Sequence, residues 1–257
     1  MSQMIIEFIG CTGAGKTTLI KEVQCRLTKK AQVTNSIDLV VGLLGLRNVT
    51  NPTLQNLIQE LVSLPFFVRS LYKYKEFLLY TMRLFLRNSS ISISTINNLR
   101  SLERKIGVHE ITRHRSKDQI ILVDEGPMLA AHMFVFTEAA YSPEELARFA
   151  DLLPLPDLVV YVSASVGTLV QRTLRRGDHP REMNIKNLTQ IESYAERAVT
   201  IFDQLVKAEN IQRRLLRVDS PDFAAQGYDK LVDDISEVIL SYTLLANGVS
   251  KLYKQSL

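Results

Sequence analysis

The stretch Met4 to Leu19, MIIEFIGCTGAGKTTL, constrains this chain more than any other. Ile5, Ile6, Phe8 and Ile9 form an apolar run of the length of a buried parallel strand, and Gly10 ends it. The residues that follow, Gly10, Cys11, Thr12, Gly13, Ala14, Gly15, Lys16 and Thr17, fit the pattern G-x-x-x-x-G-K-[ST]. Small residues at these positions let successive backbone N–H groups curl around a phosphate. Lys16 offers a point charge to the outer phosphates, and the Thr17 hydroxyl is placed to ligate Mg²⁺. From Lys16 through Thr17 and Thr18 the residues suit a helix, whose unpaired N-terminal amides add roughly half a positive charge toward the same anion. Strand, loop and helix stand in the order a nucleoside triphosphate site requires.

Length and composition bound the rest. A chain of 257 residues can form one α/β domain with an insertion. Its two cysteines, Cys11 and Cys25, belong to no C-x-x-C or Cys/His cluster, so neither a disulfide framework nor a zinc site is indicated and a reducing cytoplasm fits. Cys11 is read as a small loop residue pointing away from the ligand. The N-terminus carries Glu7 and lacks the basic and apolar regions of a signal peptide, and no apolar run approaches the ~20 residues of a bilayer-spanning helix. A soluble protein is expected.

The formal charge is +4, unevenly placed. Phe66 to Asp118 holds eleven Lys or Arg against four Asp or Glu, a net of +7 that leaves −3 elsewhere. This basic region is read as core packing on its apolar side and a solvated, anion-attracting face on the other. Glu76, Glu103 and Glu110 dilute the charge, so there is no strong nucleic-acid or membrane-surface signal.

Ala31 to Val41 is expected to contain the second strand. Asn51-Pro52 is a cap and first turn for a helix running to Leu64, which Pro65 interrupts. Phe66 to Arg87 then resumes with Leu71, Tyr74, Leu78, Met82 and Phe85 on one face, and a further helix spans Ile96 to about Arg115. Gln119 to Asp124, QIILVD, is a second buried strand that ends in the acidic pair Asp124 and Glu125. In an open parallel sheet ligands bind at that edge. Ser142-Pro143-Glu144-Glu145 carries a helix-start signal. Leu158 to Val162 is a strand, helices cover Ser165 to Arg175 and Leu188 to Ala208, Leu215 to Val218 is the last strand, and a helix from Phe223 to Leu245 closes the chain. Strands alternating with helices imply an α/β fold with a parallel sheet covered on both faces.

The order of motifs resembles the thymidylate kinase-like branch of the P-loop nucleoside and nucleotide kinases. Four features carry the likeness: the phosphate loop; the strand ending in Asp124; Pro156-Asp157-Leu158 with the following strand, then Leu169, Arg172 and Arg176-Gly177; and Asp178 to Glu182, similar to that family's lid. The resemblance implies a P-loop NTPase three-layer α/β/α fold in a single kinase domain over residues 1–257. A mostly helical substrate-covering insert would occupy about 46–118, and a lid about 177–183. It implies an ATP- and Mg²⁺-dependent kinase acting on a small-molecule acceptor, first of all a nucleoside monophosphate, with a homodimer possible in principle.

Residue by residue, the resemblance assigns the loop amides from Gly10 to Thr18, with Lys16 and Thr17, to the triphosphate, and Asp124 to the Mg²⁺ shell. Arg172 is implied near the adenine, Arg176 and Arg181 near the transferring phosphoryl group, and Asp219, Ser220 and Pro221 beside the base. Such arginines suit phosphoryl transfer, which rests on positioning and on neutralising the equatorial oxygens. Gly13 and Ala14 stand where some relatives carry an arginine, which leaves Arg181 as the transition-state candidate.

Glu125 departs from the pattern, because nucleotide-acceptor members carry there an arginine that grips the acceptor phosphate. Either the acceptor's anion is held by the basic helical region, or the acceptor is a sugar or other hydroxyl compound whose proton Glu125 accepts. Asp38 is a rival general base, although a turn or cap role is its simpler reading. A nucleotide-binding regulatory ATPase acting on a protein partner is the alternative of another class.

Overall fold

The computed structural model describes residues 3–46, 51–88, 93–115, 118–136, 141–176, 188–220 and 227–254. Five parallel strands, β1 (Met4–Ile9), β2 (Val33–Asn35), β3 (Ile120–Val123), β4 (Leu158–Ser163) and β5 (Leu215–Asp219), lie in the order β2-β3-β1-β4-β5. The register sets Glu7 beside Val123 and Val159, and Ile9 beside Tyr161. β1, β3 and β4 are buried along their whole length, as strands covered on both faces must be, which accounts for their unbroken apolar sequences. Side chains alternate between faces: Ile6, Phe8 and Leu122 enter the main core, while Ile5, Ile121 and Val123 pack with Leu39 on the other side. The expected α/β parallel-sheet architecture is borne out.

Because all strands run the same way, their C-terminal ends share one edge. The chain leaves β1 toward β3 on one side and β4 on the other, and the crevice above this reversal of strand order is where an open α/β sheet binds ligands. Helix α1 (Lys16–Leu27) rises from this crevice and packs on α11 (Tyr228–Lys254), where Arg26 reaches Asp229 at 2.6 Å. Helix α7 (Pro143–Leu152) starts on the expected signal: Ser142 and Glu145 form a full capping box, worth about 1 kcal/mol.

The segment between β2 and β3 differs from its sequence reading in three respects. The second strand is only Val33–Asn35, and Ser36–Gly42 is a helix, α2. Asn35 decides this, since its side chain accepts the Asp38 backbone N–H at 2.7 Å and donates to the Asp38 carboxylate at 2.6 Å. Pro65 does not interrupt α3, which runs from Pro52 to Ser70. A proline inside a helix costs ~3 kcal/mol, but Pro65 and Leu61 both lie on the exposed side, where water can reach the carbonyl that lacks its donor. On the other side α3 packs against α5 (Ile93–Arg115) so tightly that a Cβ on Gly107 would overlap Ser63. The break comes instead at the Leu71–Tyr74 turn, before α4 (Lys75–Asn88). Consequently Leu71 and Met82 are exposed, and Phe77, Leu78, Leu84 and Phe85 form the buried face of α4.

Much of the basic charge here is paired. Lys73 bonds Glu110 at 2.8 Å, Arg100 bonds Glu60 at 2.6 Å, Arg87 pairs with Glu145, and Arg113 donates to the Leu155 carbonyl at 2.6 Å. The Arg100–Glu60 and Arg87–Glu145 pairs join α5 to α3 and α4 to α7. No described helix is long and apolar enough to cross a membrane.

Two helices, α8 (Val166–Arg176) and α9 (Leu188–Leu205), pack together after β4, and the short α10 (Glu209–Gln212) leads into β5. A 3-10 turn (Pro127–Ala131) and α6 (His132–Phe136) follow β3. The expected lid at 177–183, with Arg181 and the loop residue Pro221, lies outside the described residues, as does the side chain of Arg176.

Candidate active site

The loop after β1 has the backbone its sequence demands. Gly10, Gly13 and Gly15 have φ values of 140°, 88° and 95°, in the left-handed half of the map that side chains disfavour. At Gly10 space is also exhausted, because a Cβ would strike the Val162 carbonyl. Ala14 is fully buried and Cys11 nearly so; burial pushes the Cys11 thiol up to about 12, which keeps it protonated.

Lys16 folds back over the loop and donates from Nζ to the carbonyls of Gly10 at 2.9 Å and Cys11 at 3.0 Å. Thr17, one residue into α1, donates from Oγ1 to Oδ2 of Asp124 at 2.7 Å, across the gap between the loop and the end of β3. Burial raises the Asp124 carboxyl, and this hydrogen bond together with Lys16 opposes the rise.

Arg172 of α8 stands behind the loop. Its Nη1 donates to the carbonyls of Gly13 and Ala14, both at 3.2 Å, and to the Ser220 hydroxyl at 2.7 Å, while that hydroxyl donates to the Ala14 carbonyl at 2.8 Å. Ser163 holds the preceding residue, donating to Asp219 Oδ1 at 2.8 Å. One guanidinium thus ties the phosphate loop to α8 and to the end of β5.

A cavity of about 350 Å³ opens over the loop. Thr12, Gly13, Gly15, Lys16, Thr17 and Thr18 form one wall, and Asp124 and Glu125 form the floor. Ser101 and Lys105 of α5, with Leu129 and His132, complete it, and Lys105 Nζ donates to Ser101 Oγ at 2.9 Å. Beside the cavity Arg104 binds Glu125 Oε2 at 3.1 Å and Asn56 Oδ1 at 3.0 Å. The Glu125 carboxylate therefore meets an arginine from α5.

Asp38 is not at this cavity. It lines a separate one of about 660 Å³ with Thr34, Gln55 and Gln119, and its carboxylate is engaged by the cap.

Two further residues at the site were not foreseen. Glu7, in the middle of β1, is fully buried, and its carboxyl accepts the Met128 N–H at 3.0 Å beneath the Gly126-Pro127 turn. Burial pushes it up to about 8. A charged residue within an apolar parallel strand was the available signal. Desolvation holds the His132 imidazole down to about 3, so it is neutral; its Nδ1 lies 3.2 Å from the Leu129 carbonyl, which fixes the proton on Nδ1. No sequence signal distinguished His132 from a packing residue.

No family model and no curated protein matches the chain. Solved structures with a similar outline include shikimate kinase from Acinetobacter baumannii in complex with shikimate (16% identity, 93% of this chain and 94% of that one, TM-score 0.44). Shikimate kinase from Bacteroides thetaiotaomicron matches at 10% identity over 92% and 98%, with a TM-score of 0.45. Deoxyadenosine kinase from M. mycoides with bound dCTP matches at 16% identity over 93% and 100%, with a TM-score of 0.44. At such scores neither acceptor nor mechanism carries over to this chain.

Proposed function

We propose that this chain is a P-loop small-molecule kinase that uses ATP and Mg²⁺. The observation that carries the reading is the meeting of the Thr17 hydroxyl and the Asp124 carboxylate over a loop whose glycines take left-handed conformations. The donor set fits the cofactor: one hydroxyl and one carboxylate, with phosphates and water supplying the remaining oxygens, is how proteins usually hold Mg²⁺ beside a nucleotide. When bound there, the ion would neutralise charge on the phosphate oxygens.

The chain's own groups have separable tasks in this reading. Loop amides and Lys16 hold the phosphates; Arg172 fixes the loop's shape from behind; Arg176 and Arg181 keep the role of stabilising the transferring group.

For the acceptor, we infer an anionic small molecule, with a nucleoside monophosphate as the leading candidate. Support comes from Ser101 and Lys105 at the cavity wall and from Arg104, which offsets the Glu125 charge that would otherwise repel a phosphate. A hydroxyl acceptor is the second reading, favoured by the 63% exposure of the Glu125 side chain, which leaves the carboxylate accessible to a sugar hydroxyl beside its contact with Arg104.

A ³¹P-detected screen of nucleoside monophosphates and sugars with ATP and Mg²⁺ separates the two. With a monophosphate acceptor, Lys105→Ala raises the acceptor KM at unchanged ATP affinity and Glu125→Gln changes little. With a hydroxyl acceptor, Glu125→Gln lowers kcat by roughly 10²-fold. ATP hydrolysis with no transfer to any compound, stimulated only by a protein, would instead indicate the regulatory ATPase.

A further inference from the structure

Glu7 caps a helical turn to which it does not belong. The turn Pro127–Ala131 opens on Gly126, which has no side chain to cap it, and Pro127, which has no N–H to satisfy. The Leu129 N–H finds the Gly126 carbonyl at 3.2 Å, and the Met128 N–H finds Oε1 of Glu7 at 3.0 Å, across 121 positions of the chain. Met128 and Glu7 are both buried, so water offers no substitute for this acceptor. A local cap is excluded by space. A Cβ on Gly126 would stand 2.3 Å from Glu7 Cδ, which leaves no room for the serine or aspartate that usually caps a helix. The acceptor therefore comes from the strand.

The bond joins two parts of the site. On the strand side, Glu7 lies three residues before Gly10 and pairs in register with Val123, the residue before Asp124. On the turn side, Glu125 precedes the capped segment, and Leu129 and His132 follow within it or just beyond, in the wall of the 350 Å³ cavity. The position of the turn sets the His132 ring, whose Nδ1 lies 3.2 Å from the Leu129 carbonyl and which meets Phe202 edge-on with ring centroids 4.9 Å apart. Lys105, in the same cavity, acts electrostatically on the Glu7 carboxyl.

The bonds that shape the phosphate loop run elsewhere. Lys16 and Arg172 donate to loop carbonyls, and Thr17 joins the loop to Asp124. Loss of the Glu7 cap therefore displaces one wall of the cavity and leaves the loop its own supports.

We propose that Glu7 is a positioning residue for the phosphoryl acceptor: by capping the turn Pro127–Ala131 from β1, it sets Glu125, Leu129 and His132 against the acceptor while itself touching neither reactant. This role rests on the kinase reading above.

Nuclear magnetic resonance on the full chain near pH 7 tests it with Glu7→Gln and Glu7→Leu. Glutamine is neutral, has nearly the shape of a protonated glutamic acid and still accepts from Met128, so its spectrum should match the wild type. In Glu7→Leu the Met128 N–H has lost its acceptor, and its hydrogen exchange should quicken about 10-fold or more. The His132 imidazole ¹⁵N signals should shift with it, while the amide signals of Gly13 and Gly15 stay in place. In kinetics with ATP and thymidine monophosphate, Glu7→Leu should raise the KM for thymidine monophosphate about 10-fold and that for ATP less than about twofold, whereas a merely structural role would weaken both alike. His132 signals that stay in place in a folded Glu7→Leu chain overturn the proposal, as does a glutamine variant that shifts them as far as leucine, or an equal loss for ATP and thymidine monophosphate. A wild type inert toward thymidine monophosphate counts against the acceptor reading instead, and the His132 signals still decide the role of Glu7. Should Glu7→Leu not fold, Gly126→Ala presses on the same carboxyl from the turn and is judged by the same signals.

Discussion

Gly126 lies directly on the buried carboxyl of Glu7, so close that one added carbon would overlap it. The acidic pair Asp124–Glu125 and the start of the next helical turn are therefore seated on a group in the centre of β1. The Glu7 carboxyl receives the Met128 N–H, and burial keeps it protonated to about pH 8.

That proton predicts a pH dependence. In the unfolded chain a glutamic acid loses it near 4.5, so between 4.5 and about 8 the folded state holds more protons and stability falls as pH rises. The loss is complete above about pH 8 and amounts to roughly 5 kcal/mol. Glu7→Gln keeps an acceptor for Met128 and removes the titration. Chemical denaturation at pH 5 and pH 8 should show a smaller difference for the variant than for the wild type, and an unaltered difference would refute the protonated Glu7.

Arg172 gives a prediction about nucleotide choice. Its bonds go to the Gly13 and Ala14 carbonyls and to Ser220, so its main task is the shape of the loop. Arg172→Ala removes charge-assisted hydrogen bonds worth ~1.5–3 kcal/mol each at most. ATP, GTP and tripolyphosphate should all bind more weakly, by similar factors, in calorimetric titration. A loss confined to ATP would return Arg172 to the adenine.

The crossing of α3 and α5 depends on Gly107. Gly107→Ala should destabilise the fold by ~1–3 kcal/mol, the usual penalty for overpacking, even though alanine favours a helix. Thermal melting measures this. A Tm equal to or above that of the wild type would mean that the helices part at no cost.

How far the sequence reveals this molecule depends on whether a signal is local. β1, β3 and β4 are legible because a strand buried on both faces must be continuously apolar, and the glycine loop because its backbone excludes side chains. Ser142 announces α7 through its own capping bonds. Pro65 misleads because its local penalty is outweighed by packing on α5, a contact between residues about forty apart. Asp38 belongs to a helix because Asn35 caps it, while the aliphatic run Leu39-Val40-Val41 suits strand and helix alike. In the candidate site the loop residues and Asp124 are recognisable from spacing. Ser101, Lys105 and His132 reach the same cavity only through the folding of α5 and α6, which no motif records.

The central claim is that Lys16 and the loop hold a triphosphate whose terminal phosphoryl group moves to a second molecule. Its most direct test follows the γ-phosphorus of ATP by ³¹P spectroscopy in the presence of Mg²⁺ and the acceptor panel, for wild type and Lys16→Ala. The account predicts a new phosphate ester with the wild type and neither transfer nor measurable ATP binding with the variant, whose fold should be intact by circular dichroism. A folded Lys16→Ala chain that transfers or hydrolyses as fast as the wild type would contradict it.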